Sequence, residues 1–103
     1  MKRIINKKTY NTETAILIVE TDNGRGRSDF NGIEETLYQT KKGTFFLEYW
    51  GGAATGYSKS GGNWSSEGRG IKVLSDDEAY EFLERHNQTD AIEKYFSDVI
   101  EEG

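Results

Sequence analysis

Apolar residues follow a strand-like pattern over the first three-quarters of the chain and a helical one after residue 75. Ile4-Ile5 and Thr9-Tyr10, separated by Asn6-Lys7-Lys8, read as a short hairpin or a strand with a polar bend. Residues 11–14 form a turn, because Asn and Thr side chains bond nearby backbone groups. Residues 15–19 are an unbroken apolar run of strand length, which predicts a central strand. Asn23-Gly24 signals a turn within the loop 22–29. Large and polar residues then alternate over 35–40, Lys41-Lys42-Gly43 offers a hairpin turn, and 44–50 forms the return strand. From Gly51 to Gly70 the chain is rich in glycine and serine. A structureless loop of that length is unusual in a compact domain, so Tyr57 and Trp64 are expected to pin it to the sheet, with a short strand near Tyr57. Residues 71–74 give a further strand.

The last quarter changes period. Ser75 with Glu78 three residues later is a capping box, and Asp76 and Asp77 place negative charge in the first helical turn. Ala79, Phe82, Leu83 and His86 then follow the spacing of one buried helical stripe. After a break at 87–89, Ile92, Tyr95, Phe96 and Val99 repeat it, with Ile100 beside them. Strands followed by helices predict one α+β domain spanning 1–103. An antiparallel sheet of four to six strands from residues 2–74 would be packed on one face by helices near 76–87 and 90–101.

Composition narrows the chemistry. The chain has no cysteine, which removes disulfides, thiolate nucleophiles and zinc–thiolate sites, and His86 is its only histidine. No cofactor motif is present: glycines 24, 26 and 32 lack dinucleotide-loop spacing, and no Lys-Ser/Thr pair completes a P-loop. No apolar run approaches the length of a membrane span, and the basic N-terminus is not followed by a signal-peptide core, so a cytoplasmic location is expected. Charge is divided sharply. Residues 1–75 hold eleven Lys and Arg against eight acids, while residues 76–103 hold ten acids against Arg85 and Lys94. Net charge is therefore +3 before the division and −8 after it, which points to docking on charged partners.

Three constellations could carry such docking. Gly24-Arg25-Gly26-Arg27 resembles a fragment of an arginine–glycine nucleic-acid segment, and a solvated turn explains the same residues. With Lys2, Arg3, Lys7 and Lys8 contacting phosphates and Trp64 stacking on a base, it would make a small nucleic-acid-binding regulator. Tyr49, Trp50, Tyr57 and Trp64 could form a stacking platform near Lys59 and Arg69, although whichever of Tyr49 and Trp50 faces inward belongs to the core. The acidic helices offer Asp77, Glu81, Glu84, Glu93 and Glu101 as a strip of negative charge, or simply as a solvated face. Glu34 and Glu35 would face opposite sides of a strand, and His86 falls on the apolar stripe. No nucleophile–base pair can be named, and the chain reads as a non-enzyme. An exposed edge at the first hairpin or at 71–74 could also pair two copies into a homodimer.

Several stretches carry a family resemblance. Residues 4–15, Glu35-Thr36-Leu37-Tyr38, Lys41-Lys42-Gly43, Phe45-Phe46-Leu47, Gly51-Gly52, Trp64-Ser65, Leu74-Ser75 and Glu78-Ala79 resemble a group of small phage and mobile-element proteins of Gram-positive bacteria. That group includes a type II anti-CRISPR family, inhibitors of Cas9. The resemblance implies inhibition of an RNA-guided nuclease by protein–protein contact. Such nucleases hold their guide RNA in a positively charged channel, so the acidic strip would compete for that channel before the guide is loaded.

Overall fold

The computed structural model describes all 103 residues and is an α+β domain. β1 (Lys2–Ile5) and β2 (Lys8–Asn11) form a hairpin of their own. Its two-residue turn places Asn6 at φ 51° and Lys7 at φ 65°, the left-handed region that tight hairpin turns require. β3 (Ile16–Asp22), β4 (Ile33–Gln39), β5 (Phe45–Gly51) and β8 (Gly68–Leu74) make the main antiparallel sheet in the order β3-β4-β5-β8. Between β5 and β8 a small hairpin, β6 (Lys59–Gly61) with β7 (Trp64–Ser66), stands apart from that sheet. Two helices close the chain, α1 (Asp76–Arg85) and α2 (Thr89–Tyr95), followed by a 3-10 turn at Ser97–Val99.

Register explains how each face is filled. Leu37 lies opposite Leu47, and Phe45 opposite Leu74, so these four project toward the helices. There they meet Ala79, Phe82 and Leu83 in the larger core. Burying a side chain as completely as Phe82 and Leu83 contributes about 1.5–3 kcal/mol each. The neighbouring row, Tyr38–Phe46–Val73, projects the other way. It is not left to solvent: the β1–β2 hairpin covers it with Tyr10, whose ring meets Phe46 edge-on at 5.5 Å. Two layers therefore cover the sheet, one per face, where the strand pattern led to a single covered face.

The strand 16–22 is an edge, not a central strand. A bulge lies between Leu17 and Val19, and Ile16 and Leu17 stay about half exposed. An unbroken apolar run normally marks a strand buried on both faces; here the bulge rotates part of it outward. β8 is the other edge, as anticipated for 71–74.

α1 begins as the sequence predicts. The Ser75 hydroxyl accepts from the Glu78 amide and the Glu78 carboxylate accepts from the Ser75 amide, a closed capping box. It ends earlier than 87. Asn87 takes φ 54°, its amide bonds the Glu84 carbonyl, and the Gln88 amide bonds the Leu83 carbonyl, which is the Schellman closure. His86 consequently caps the helix, half-buried and tilted on the Phe82 ring at 4.5 Å, and does not join the buried stripe. α2 stops at Tyr95, far short of 101. Phe96 leaves helical geometry at φ −133°, and the last turn tightens to a 3-10 bond from Val99 to Phe96. Val99 and Ile100 are left 65 % and 41 % exposed, and Glu101 lies beyond all regular structure.

The glycine-rich connection is held as expected at Tyr57 and not at Trp64. Tyr57 stacks on Tyr49 at 4.2 Å and its hydroxyl donates to Glu35. Gly68 is required beneath it, since a Cβ there would lie 1.7 Å from the Tyr57 carbonyl oxygen. Trp64 instead lies against Gly61 of its own hairpin and is 58 % exposed.

Candidate functional site

Both helices border a groove at the sheet end where β4 turns into β5. Its apolar wall is made by Tyr80, Tyr95, Phe96 and Val99, and its acids are Asp76, Asp77 and Asp98. The cavity measures about 590 Å³. Aromatic packing makes it rigid: Phe96 stacks on Phe45 at 5.4 Å, and Tyr80 meets Phe96 edge-on at 5.6 Å. One turn along α1, hydrogen bonding with the Glu84 carboxylate holds the Tyr80 phenol above its ordinary pKa.

None of the groove's three acids is held in an ion pair. The protein forms two ion pairs, Arg25–Asp29 and Arg27–Glu34, and none involves an acid after residue 75. Arg85 lies over the Phe82 ring and Lys94 over Tyr95, each close to an aromatic face. Carboxylates beside half-buried aromatic rings and the exposed Val99 suit a partner segment that carries both cationic and apolar side chains.

Of the acids named from sequence, Asp77, Glu81 and Glu84 share the outward face of α1 at i, i+4, i+7 spacing, all exposed. Asp77 also lines the groove, while Glu81 lines a smaller depression with Lys72 and Arg85. Glu93 is exposed on α2, and Glu101 is in the irregular C-terminal segment. The anticipated strip of five is thus three residues on one helix, with two outliers. Tyr80 and Asp98 were missed, Tyr80 because it falls off the apolar stripe and Asp98 because it was placed within a longer helix.

The cationic candidates separate. Arg27 makes a forked contact with Glu34, at 3.2 Å from Nε and 3.1 Å from one terminal nitrogen, and its guanidinium lies 5.2 Å from the Trp50 ring centre. That hydrogen bonding raises the Arg27 pKa further. Arg25 pairs with Asp29 at 3.6 Å. The Arg25–Arg27 loop is therefore engaged internally and does not present two free cations. Lys2 and Arg3 are exposed on β1. Lys7 and Lys8 instead stand beside Lys41 and Lys42 in a cleft between two hairpin turns.

Glu34 and Glu35 do face opposite sides, the first toward Arg27 and the second toward Tyr57. Trp50 is the inward member of its pair, 3 % exposed, and donates its indole N–H to Glu67 at 2.8 Å. Tyr49 is only half-buried. No helix is long and apolar enough to cross a membrane.

Comparison with family models, with curated proteins and with solved structures finds no match to this chain.

Proposed function

We propose that the protein is a non-catalytic inhibitor that docks its acidic–aromatic groove on the basic guide-binding surface of an RNA-guided nuclease of the Cas9 type. The observation that carries this is the groove itself: Asp76, Asp77 and Asp98, none paired with a cation, surround exposed Val99 and the Tyr80 and Phe96 rings. The resemblance of the sequence to mobile-element proteins supplies the class of target. Asp77, Glu81 and Glu84 on the adjoining face add long-range attraction, so association is fastest at low salt. The protein then acts in the cytoplasm of the host bacterium, where the nuclease assembles with its guide.

An order-of-addition cleavage assay tests this. Inhibition is expected when the protein meets the nuclease before the guide RNA, and little when the complex is already formed. Glu84→Lys with Asp98→Lys removes it, while Glu13→Lys in the distant 11–14 turn does not. Lysine at 84 sits in the last turns of α1, where positive charge suits the helix dipole, so the double variant keeps its fold. Equal inhibition in both orders, or by the double variant, refutes the mechanism. Absence of inhibition of every Cas9 tested refutes the target.

A further inference from the structure

We infer a second binding site, for a phosphodiester backbone, in the lysine cleft between the β1–β2 and β4–β5 turns. Lys7 comes from the first turn and Lys8 opens β2, Lys41 and Lys42 come from the second turn, and together with Thr9 and Thr44 they line an open cleft of about 650 Å³. No acid lines the cleft, and none of the four lysines forms an ion pair. Four ammonium groups gathered in a cleft that no carboxylate lines repel one another, and a multiply charged anion relieves that repulsion.

The backbone holds the lysines there at a cost. Lys7 sits at φ 65° in a turn where glycine is the usual second residue. A non-glycine residue in this region is strained, and such strain is characteristic of functional positions. In the other turn Gly43, at φ 94°, takes the left-handed place, leaving Lys41 and Lys42 at the tip. The Gly43 amide bonds the Thr40 carbonyl and the Thr44 amide bonds the Thr40 hydroxyl, which fixes that tip. Tyr10, buried against Phe46, clamps the first turn beside the second.

The ligand follows from what the cleft lacks. Its aromatic, Tyr10, is 5 % exposed, so there is no platform on which a base can stack. Lysine ammoniums and threonine hydroxyls recognise phosphate oxygens without reading sequence. This site stands independently of the groove: its readout is nucleic-acid affinity, not nuclease inhibition.

The test is fluorescence anisotropy of the full chain with a labelled 20-base-pair DNA duplex of mixed sequence, from 50 to 200 mM KCl. Wild type is expected to bind with a log–log salt slope no steeper than about −3.6, the limit for four cations. Lys7→Gln with Lys41→Gln should make the slope shallower by about 1.8, and replacing all four lysines by glutamine should weaken binding at least about tenfold at 50 mM. Arg25→Gln with Arg27→Gln should leave affinity unchanged. Lys7→Gly separates strain from binding: it should raise the thermal midpoint by about 5 °C and weaken binding. No duplex binding at 50 mM, full binding by the four-lysine variant, or binding of tripolyphosphate without binding of duplex overturns the proposal.

Discussion

Replacing Tyr10 by alanine should detach the β1–β2 hairpin while leaving the rest of the protein folded. The hairpin forms a separate two-stranded sheet, and its hold on the main sheet passes through few side chains: Tyr10, buried, and Ile5, partly buried. Full burial of an aromatic side chain is worth about 3 kcal/mol, and the edge-on contact with Phe46 adds about 1. Truncation therefore removes about 4 kcal/mol of docking. An isolated hairpin is marginal in water, so Ile5 alone cannot retain it. The main sheet loses the cover over Tyr38, Phe46 and Val73 on that face, while Phe46 stays stacked on Tyr38 at 5.3 Å and the helix-side core is untouched. Native-state hydrogen exchange measures this directly. Amides of β1 and β2 should lose protection in Tyr10→Ala, while those of β4 and β5 keep free energies within about 2 kcal/mol of wild type. Duplex binding should fall together with the hairpin's protection, because Lys7 and Lys8 leave Lys41 and Lys42. If all strands lose protection together, or if β1 and β2 stay protected, the hairpin is not the separable layer described above.

Three other outcomes are expected. Ser75→Ala opens the capping box and should cost about 1 kcal/mol, lowering the thermal midpoint of a domain this size by about 4–8 °C, read by far-UV circular dichroism. The Ser75 hydrogen bonds hold the Glu78 pKa below its ordinary value, so the cap's contribution is present above the unfolded carboxylate pKa and is lost as pH falls through the lowered one; Glu78→Gln should abolish that acid-limb dependence. Burial, and then the hydrogen bond to Glu35, raise the Tyr57 phenol above its unfolded pKa of about 10. The stability it contributes is complete below that pH and is lost above it, so alkaline unfolding should begin at higher pH in Tyr57→Phe.

Local chemistry was legible in the sequence wherever the deciding atoms lie within a few residues. The capping box needed only Ser75 and Glu78, and the 35–50 hairpin only its alternation and Gly43. Errors arose where a pattern outran its local limits. Helical spacing continues through Val99, but the backbone leaves helical geometry at Phe96, whose ring stacks on Phe45. The run at 15–19 has the composition of a central strand, and only the bulge and the strand order make it an edge. Charge was visible but its pairing was not: Arg27 is spent on Glu34, seven residues away, across a loop whose path no periodicity reveals. The lysine cleft was hidden for the same reason. Lys7-Lys8 and Lys41-Lys42 each read as ordinary turns, and the packing of Tyr10 and Ile5 on the Tyr38–Phe46 face brings them together.

The net charge of −5 opposes nucleic-acid binding, and its geometry decides how far. The acidic groove and the lysine cleft adjoin the same β4–β5 turn, the groove touching Gln39 and Gly43, the cleft Thr40, Lys41 and Lys42. With about 10 Å, the spacing of one packed layer, taken between a phosphate in the cleft and Asp76 or Asp98, the repulsion follows from Coulomb's law. In water each such pair repels by about 0.4 kcal/mol, which screening reduces to about 0.3 at 0.01 M salt and about 0.1 at 0.15 M. Two acids acting on two phosphates amount to about 1.2 kcal/mol and about 0.4 kcal/mol respectively. Asp76→Asn with Asp98→Asn should accordingly tighten duplex binding about sevenfold at 0.01 M but only about twofold at 0.15 M. An equal gain at both salt concentrations would mean that the substitutions reshape the cleft, and no gain at low salt would place the bound phosphates elsewhere on the molecule.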